Sequence, residues 1–263
     1  SGDSFTERSG HPAPQATVSP ASGLCRFLFR TLCHIPRVHC RFICVTGSDT
    51  GAGKTVVASL VTRFLRAQGH AVAALKPVCS GGREDAVRLW EAAGKVLSLD
   101  QVNPWHFRAP VAPALAARES AQRLEWHNLV DHIRRTSRGF KIVIVEGAGG
   151  LLSPMTDRND GRDLIAALRA SVIVVVPNRL GAVNQARLVL DALPATAVRR
   201  TVVVLTAPPV NDLATRTNAA LFGTFFSRER ISELPRLGEP FPKRIPLRLR
   251  KLLRHLLEPI VPA

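Results

Sequence analysis

Several kinds of residue and motif are missing from this chain. There is no tyrosine, methionine occurs once, and no apolar run approaches the about 20 residues that a membrane-spanning helix needs. None of the 5 cysteines forms a C-x-x-C pair. A zinc site built from Cys33, His34, His39 and Cys40 is therefore a weak hypothesis. We favour the hypothesis that the cysteines are reduced thiols, and we expect a cytoplasmic protein.

Acidic residues are scarce, at 20 against 36 lysines and arginines, which gives a formal net charge of +16. Such a charge suits a polyanionic partner. The basic residues are mostly scattered arginines, however, and neither an aromatic-interleaved basic stripe nor a nucleic-acid-binding motif accompanies them. The sequence therefore predicts no nucleic-acid partner. Its 263 residues suit one large α/β domain, or one domain with appendages.

Residues 1–40 differ in composition from the remainder of the chain. They begin rich in Ser, Pro and Gly and then become arginine-rich, with Asp3 and Glu7 as their only acids. We predict an extension outside the folded domain, disordered rather than a targeting signal. An organellar transit peptide is the alternative, because such peptides are also rich in Arg and Ser and poor in acids.

A phosphate-binding loop is the strongest local feature of the sequence. The apolar run Phe42–Val45 predicts a buried strand, glycines follow at 47, 51 and 53, and Lys54 and Thr55 open a helix. Backbone N–H groups in such a turn can face an anion, and the first turn of a helix favours negative charge. The lysine can reach the terminal phosphates, and the threonine hydroxyl can hold Mg²⁺. Ser48 stands where the usual pattern has its first glycine, so the loop is a variant.

After the loop, predicted strands and helices alternate. We predict helices at Lys54–Ala67, Asp85–Ala93, Leu124–Arg138 and Gly181–Leu193, strands at 70–82, Lys141–Val145, 171–178 and 201–207, and a proline-punctuated loop with a short helix at 101–120. This alternation predicts an α/β fold of the P-loop NTPase class, with a mostly parallel central sheet flanked by helices on both faces. Lys76 and Glu146 then lie at the carboxyl ends of strands, where open α/β sheets bind ligands.

The chain ends in KRIPLRLRKLLRHLLEPIV, a basic amphipathic stretch. We predict one domain over residues 41–242 and a basic C-terminal helix within residues 243–263. A terminal helix with a solvated face is favoured over a membrane-surface anchor, because one short basic helix is a weak anchor.

Several motifs occur together in a characteristic order. They are VTGSDTGAGKT, LKPVCSGG, the DA pair at 85 and 86, VNPWHF, VEGAGGLLSP and LGAVNQARL. Over residues 42–204 the chain resembles the dethiobiotin synthase family. The resemblance implies ATP-dependent carboxylation and ring closure of 7,8-diaminononanoate with CO₂ or bicarbonate, through a carbamate and a carbamic-phosphoric anhydride. It also implies a Mg²⁺ cofactor, a role in biotin biosynthesis and a homodimer.

The resemblance also implies roles for individual residues. The catalytic residues would be Lys76 and Lys54, the substrate contact Ser80, and the Mg²⁺ ligands Thr55, Asp85 and Glu146. The nucleotide would contact Gly51, Ala52, Gly53, Lys54, Thr55, Val56, Glu146, Gly147, Ala148, Gly149 and Thr206. Oxygen ligands of this kind suit Mg²⁺, and an acid directly after a buried apolar strand, such as Glu146, needs a partner.

Three positions depart from the family pattern. Gly51 stands where the family often has an acidic residue, and Ala114 stands where a histidine is common. Thr206 stands near the asparagine that contacts adenine in the family, so the sequence leaves the base preference open.

Two other functions are alternatives. A nucleotide-switched partitioning-type ATPase has a related fold and a basic amphipathic membrane helix at its C-terminus. Its loop carries a lysine ahead of the glycines, where this chain has Asp49, which argues against it. A catalytically inactive binding module is the second alternative, and the presence of the five catalytic and metal-ligand candidates argues against that.

Overall fold

The apolar runs of the sequence form a parallel sheet. The computed structural model describes residues 40–120, 122–238 and 245–261. Its strands are β1 (Arg41–Gly47), β2 (Val72–Leu75), β3 (Val78–Ser80), β4 (Trp105–Phe107), β5 (Ile142–Glu146), β6 (Ser171–Pro177), β7 (Thr201–Thr206) and β8 (Ile231–Leu234). Six of them form one sheet in the order β2-β5-β1-β6-β7-β8, and every pair in it is parallel. The remaining two, β3 and β4, form a separate parallel pair.

Helices connect these strands. They are α1 (Lys54–Ala67), α2 (Glu84–Ala92), α3 (Leu99–Val102), α4 (Pro113–Glu119), α5 (Trp126–Thr136), α6 (Gly161–Leu168), α7 (Ala182–Ala192), α8 (Ala195–Val198), α9 (Leu213–Phe222) and α10 (Leu247–Leu257), with a 3₁₀ turn at Arg228–Arg230. Side chains fix several of the starts. Asp160 and Asp212 accept backbone N–H bonds in capping boxes that begin α6 and α9.

The two faces of the sheet carry separate apolar cores. On β1, Cys44 belongs to one cluster, while Ile43 and Val45 on either side of it belong to the other. Alternation of this kind is what successive side chains of a strand produce. Helices α5, α6 and α7 contribute to the first core, and α1 and α10 to the second. The predicted α/β architecture, with helices on both faces of a parallel sheet, is confirmed.

The register of the sheet brings the predicted site residues together at the carboxyl ends of its strands. Val45 pairs with Glu146 across β1 and β5, and Leu75 pairs with Val145 across β2 and β5. Lys76 follows Leu75 directly and therefore lies beside Glu146. The phosphate-binding loop begins on the strand next to them, since β1 is the other neighbour of β5.

Some elements differ from the predictions. Residues 70–82 were expected to form one strand, and this is wrong: β2 ends at Leu75 and β3 begins at Val78. Pro77 lies at the break because it has no N–H to donate to a sheet. The stretch 101–120 contains β4 as well as the expected short helix, and α6, α9 and β8 were not predicted.

The C-terminal helix α10 packs on the domain. Leu249, Leu253, Leu256 and Leu257 are buried in the same core as α1. The helix therefore presents a basic face outward and an apolar face inward, as the favoured interpretation expected. No helix among the described residues is long and apolar enough to cross a membrane. The proposed domain limits stay predictions, and residues 1–39, with Cys33, His34 and His39, lie outside the described residues.

Candidate active site

The loop between β1 and α1 depends on glycine at Gly53. This residue has φ = 93° and precedes the first residue of α1, and it has no side chain to cap the helix. A Cβ there would meet the methyl carbon of Thr206 at 3.3 Å. The first N–H groups of a helix have no partner within the helix, so this turn presents donors and a positive dipole end to an anion.

Two residues from different elements hydrogen-bond to Glu146, and a third lies beside one of them. Thr55, in the first turn of α1, donates its hydroxyl to Oε1 of Glu146 at 2.8 Å. Lys76, just beyond β2, donates its ammonium to the same oxygen at 2.7 Å and to the backbone carbonyl of Gly147 at 2.8 Å. Oδ2 of Asp85, in the first turn of α2, lies 3.8 Å from the Lys76 ammonium. The fold therefore brings Thr55 and Lys76, which are 91 and 70 positions from Glu146, onto one oxygen of its carboxylate.

The two buried lysines experience opposite electrostatic environments. For Lys54, burial is the main cause of a lowered pKa, and repulsion from Lys76 adds to it. Burial also acts to lower the pKa of Lys76, but the charge of Glu146 and its hydrogen bond outweigh this, so the pKa is raised. The Lys54 ammonium donates to the backbone carbonyl of Asp49 at 2.8 Å. Lys76 thus donates a hydrogen bond to a carboxylate, whereas the acceptor for Lys54 is a neutral carbonyl.

The residues around Glu146 fit a Mg²⁺ ion. Oε2 of Glu146 is buried and has no hydrogen-bond partner among the described residues, which is costly for a carboxylate oxygen unless something binds it. The Thr55 hydroxyl and the half-exposed Asp85 carboxylate flank the same region. Carboxylate and hydroxyl oxygens are the donors that Mg²⁺ accepts, together with water and phosphate oxygens.

A cleft of about 550 Å³ lies over these side chains. Among the predicted site residues, its lining includes Gly51, Gly53, Lys54, Thr55, Val56, Lys76, Ser80, Asp85, Glu146, Ala148 and Gly149. The Ser80 hydroxyl is buried without a partner in the described structure, so it can still bond a ligand.

Three predicted residues lie beside the cleft but do not line it. Ala52 is buried behind the loop, and Gly147 offers its carbonyl to Lys76. The Thr206 hydroxyl donates to the carbonyl of Ala52 at 3.1 Å, so this side chain supports the loop from behind.

The chain is similar to a protein family and to individual known proteins. A family described as an AAA domain matches residues 41–240. The ATP-dependent dethiobiotin synthetase BioD of Anaeromyxobacter dehalogenans is 40% identical over 200 residues, which cover 74% of this chain and 90% of that protein. The enzyme of the same name from Akkermansia muciniphila is 34% identical over 195 residues, covering 74% and 89%.

The chain belongs to the dethiobiotin synthetase family. A solved structure of pNOB8 ParA bound to nonspecific DNA is also similar, with a TM-score of 0.48 and 13% identity over 84% of this chain and 97% of that one. That weaker likeness carries no argument about this chain.

The positions that depart from the dethiobiotin synthetase family pattern have clear structural settings. A Cβ at Gly51 would meet nothing within 4 Å, but φ there is 74°, so a side chain would be strained by the backbone and not by its neighbours. Ala114 does not line the cleft over Glu146. It lies in an adjacent cleft of about 620 Å³, on the other side of α4.

The sequence did not reveal every feature near the site. A third cleft of about 530 Å³ lies at the carboxyl ends of β7 and β8, and its lining includes Ala207, Asn211, Glu233 and Arg236. Arg88 lines the cleft over Glu146, and Asn103 contacts the backbone of Lys76 from beneath that cleft. Helical spacing from Asp85 was a usable signal for Arg88, whereas no local pattern indicates Asn103.

Proposed function

We infer that this chain catalyses ATP-dependent ring closure of 7,8-diaminononanoate with CO₂ or bicarbonate, giving dethiobiotin, ADP and phosphate. Membership of the dethiobiotin synthetase family supports this function. The observation that carries it is the convergence of Thr55 and Lys76 on one oxygen of Glu146, at the first turn after the glycine loop. The Lys76 ammonium therefore lies next to the turn that is proposed to bind phosphate.

The reaction first joins CO₂ to the substrate and then activates the new carbon for ring closure. One amine of the substrate attacks CO₂ and loses a proton, which gives a carbamate. A carbamate oxygen then attacks the γ-phosphorus of ATP, and ADP leaves. The second amine attacks the carbon of the resulting anhydride and loses a proton, and phosphate leaves as the ring closes. The protein forms no covalent bond in this scheme, so positioning and charge stabilisation supply the rate.

The lysines have distinct roles in this proposal. Lys54 leaves its carbonyl partner at Asp49 for the terminal phosphates, which are stronger acceptors. Lys76 binds the carbamate and stabilises the charge that develops on the transferred phosphoryl group. Its raised pKa keeps the ammonium charged throughout the neutral range. The Ser80 hydroxyl, which has no partner in the described structure, is placed to bond the substrate.

Thr55, Asp85 and Glu146 would hold the Mg²⁺ ion in this proposal. When bound, the ion would neutralise phosphate charge during phosphoryl transfer. The unpartnered Oε2 of Glu146 supports this assignment.

The rest of the nucleotide extends toward β7 in this proposal. Gly147 and Gly149 allow close backbone approach, and the cleft at the ends of β7 and β8 has room for the base. Thr206 then acts by supporting the loop at Ala52 and not by contacting the base.

A homodimer, implied by the family resemblance, stays a prediction. Leu152 and Leu188 are 54% and 61% exposed and line a shallow cleft next to the loop residues Ser48 and Asp49. Burial of such side chains would favour association. Sedimentation equilibrium of the full chain tests the expectation.

The deciding experiment measures phosphate release by the full chain with Mg²⁺ and ATP. We expect release only when diaminononanoate and bicarbonate are both present. Lys76→Ala should abolish this release while ADP binding persists, because the loop contacts remain. Release without the diamine would contradict the proposal and favour the partitioning-type ATPase. That alternative also requires an apolar helix face for a membrane, and the leucines of α10 are buried in the core.

A further inference from the structure

Asn103 is a fully buried polar residue that has no role in the mechanism described above. It follows α3, and its backbone N–H donates to the carbonyl of Leu99 at 2.8 Å. Its side-chain amide donates to the carbonyl of Lys76 at 2.7 Å and to that of Trp105 at 3.2 Å, with the carbonyl of Pro77 at 3.4 Å. A buried side chain that satisfies carbonyls of other segments fixes their position, because breaking those bonds leaves polar atoms without partners.

Lys76 depends on this segment for its backbone geometry. The last paired residue of β2 is Leu75, so Lys76 lies just beyond the sheet. Its N–H donates to the carbonyl of Val102 at 3.0 Å, and its carbonyl accepts from Asn103. Both backbone polar groups of the lysine are therefore bonded to residues 102 and 103 and not to a neighbouring strand of the sheet.

Arg83 connects the same asparagine to the metal side of the site. Its Nε donates to the Oδ1 of Asn103 at 3.0 Å, and its Nη2 donates to the backbone carbonyl of Asn103 at 2.9 Å. Arg83 immediately precedes α2 and stands two residues before Asp85. The asparagine is thereby bonded to the backbone that carries the lysine and to the start of the helix that carries the acid.

We propose that Asn103 is a positioning residue that holds the Lys76 carbonyl so that the lysine ammonium stays within bonding distance of Glu146 and Gly147. Asn103 does not line the cleft, so it acts through the lysine and not on substrate. The proposal rests on the function inferred above for its effect on turnover, but not for its effect on the lysine itself.

The first test compares Asn103→Ala with Ser137→Ala in the full chain. Ser137 is also buried and donates its hydroxyl to a backbone carbonyl, that of Ile133, but it lies outside the site. We expect kcat of Asn103→Ala to fall about 10- to 100-fold, as small misplacements of catalytic groups do. The dissociation constant for ADP should stay within about twofold of wild type, because the bonds of the Asn103 side chain go to Lys76, Pro77, Trp105 and Arg83 and not to the glycine loop. Ser137→Ala should lower the unfolding temperature without lowering kcat.

A second variant distinguishes the bond that Asn103 donates to Lys76 from the bond that it accepts from Arg83. Asn103→Asp retains an oxygen for Arg83 but cannot donate to the Lys76 carbonyl when it is ionised. We expect it to lose as much kcat as Asn103→Ala. Wild-type kcat in Asn103→Asp would overturn the proposal, since the donated bond would then have no effect.

The third measurement does not depend on catalysis. Brief labelling with acetic anhydride, read by mass spectrometry, reports how accessible and how basic each lysine amine is. We expect the labelling rate of Lys76 to rise in Asn103→Ala but not in Ser137→Ala, with the exposed Lys141 as the internal standard. An unchanged Lys76 rate would overturn the proposal. Failure of the inferred function would appear differently, as wild-type protein that releases no phosphate with the diamine.

Discussion

The two buried lysines of the site, at the ends of neighbouring elements, differ in what surrounds them. Lys54 and Lys76 are 6% and 4% exposed, yet the pKa of the first is lowered and that of the second is raised. The difference comes from Glu146, because of the two lysines only Lys76 donates a hydrogen bond to it. Burial by itself disfavours an ammonium, and a hydrogen-bonded carboxylate reverses the balance. Lys54 is therefore suited to receive an anionic ligand, while Lys76 holds its charge before any ligand binds.

Removing the Glu146 carboxylate should have the largest effect of the changes considered, because it removes the difference between the two lysines. In Glu146→Gln Lys76 loses its hydrogen-bonded carboxylate and keeps only Asp85, 3.8 Å away, and the proposed Mg²⁺ site loses a charge. We expect diamine-dependent phosphate release to fall by about 10²- to 10³-fold, and the Mg²⁺ concentration for half-maximal rate to rise. A Mg²⁺ titration of turnover measures both.

The matched control for that prediction is Glu91→Gln, which removes an exposed carboxylate from α2. It should leave turnover and Mg²⁺ dependence unchanged. Wild-type Mg²⁺ dependence in Glu146→Gln would show that this carboxylate is not a metal ligand.

Replacing each lysine by methionine should separate the two in stability. Lys76→Met leaves the buried Glu146 carboxylate without its ammonium, and we expect a loss of about 3–5 kcal/mol in the free energy of unfolding. Lys54→Met removes an ammonium that burial already disfavours, so its stability should stay within about 1 kcal/mol of wild type. Urea unfolding without nucleotide makes the measurement. Equal losses in the two variants would contradict the electrostatic difference.

The lowered pKa of Lys54 should appear in the pH dependence of nucleotide affinity. Deprotonation above this pKa, which lies below 10.5, removes the charge that binds phosphate. We expect ADP affinity to fall about tenfold as pH rises through it, equivalent to one charge-assisted hydrogen bond of about 1.5 kcal/mol.

Lys54→Arg provides the comparison for this pH effect, because a guanidinium stays charged over the same range. Its ADP affinity should stay flat where that of wild type falls. Lys76 should not contribute to the decrease, since its raised pKa keeps it charged to higher pH. A parallel fall in Lys54→Arg would assign the titration to another group.

The smallest expected effect concerns the support behind the loop. Thr206→Val removes the hydroxyl that donates to the Ala52 carbonyl but keeps the shape that packs against Gly53. We expect a loss of about 1 kcal/mol in the free energy of unfolding and little change in kcat. Thermal unfolding and steady-state kinetics test this. A large fall in kcat would mean that Thr206 contacts the nucleotide directly.

Local chemistry made the loop half of the site predictable. The glycines, Lys54 and Thr55 occur within a few residues, and helix α1 was predicted with its observed limits, Lys54–Ala67. The lysine half was only partly predictable. The strand expected over 70–82 is divided at Lys76 and Pro77, because the chain leaves the sheet there and bonds to residues 102 and 103. Hydrogen bonds between segments about 26 residues apart have no periodic signal in the sequence.

The sequence by itself determined the parallel α/β architecture, the phosphate-binding loop and the identities of the polar residues at the strand ends, since these follow from hydrophobic periodicity and short motifs. Only the tertiary structure decided that Thr55 and Lys76 share one oxygen of Glu146. It also decided that Thr206 supports the loop and that the apolar face of α10 is buried. The physical reason is that sheet register and packing between distant segments set these distances, and no local stretch of chain contains them.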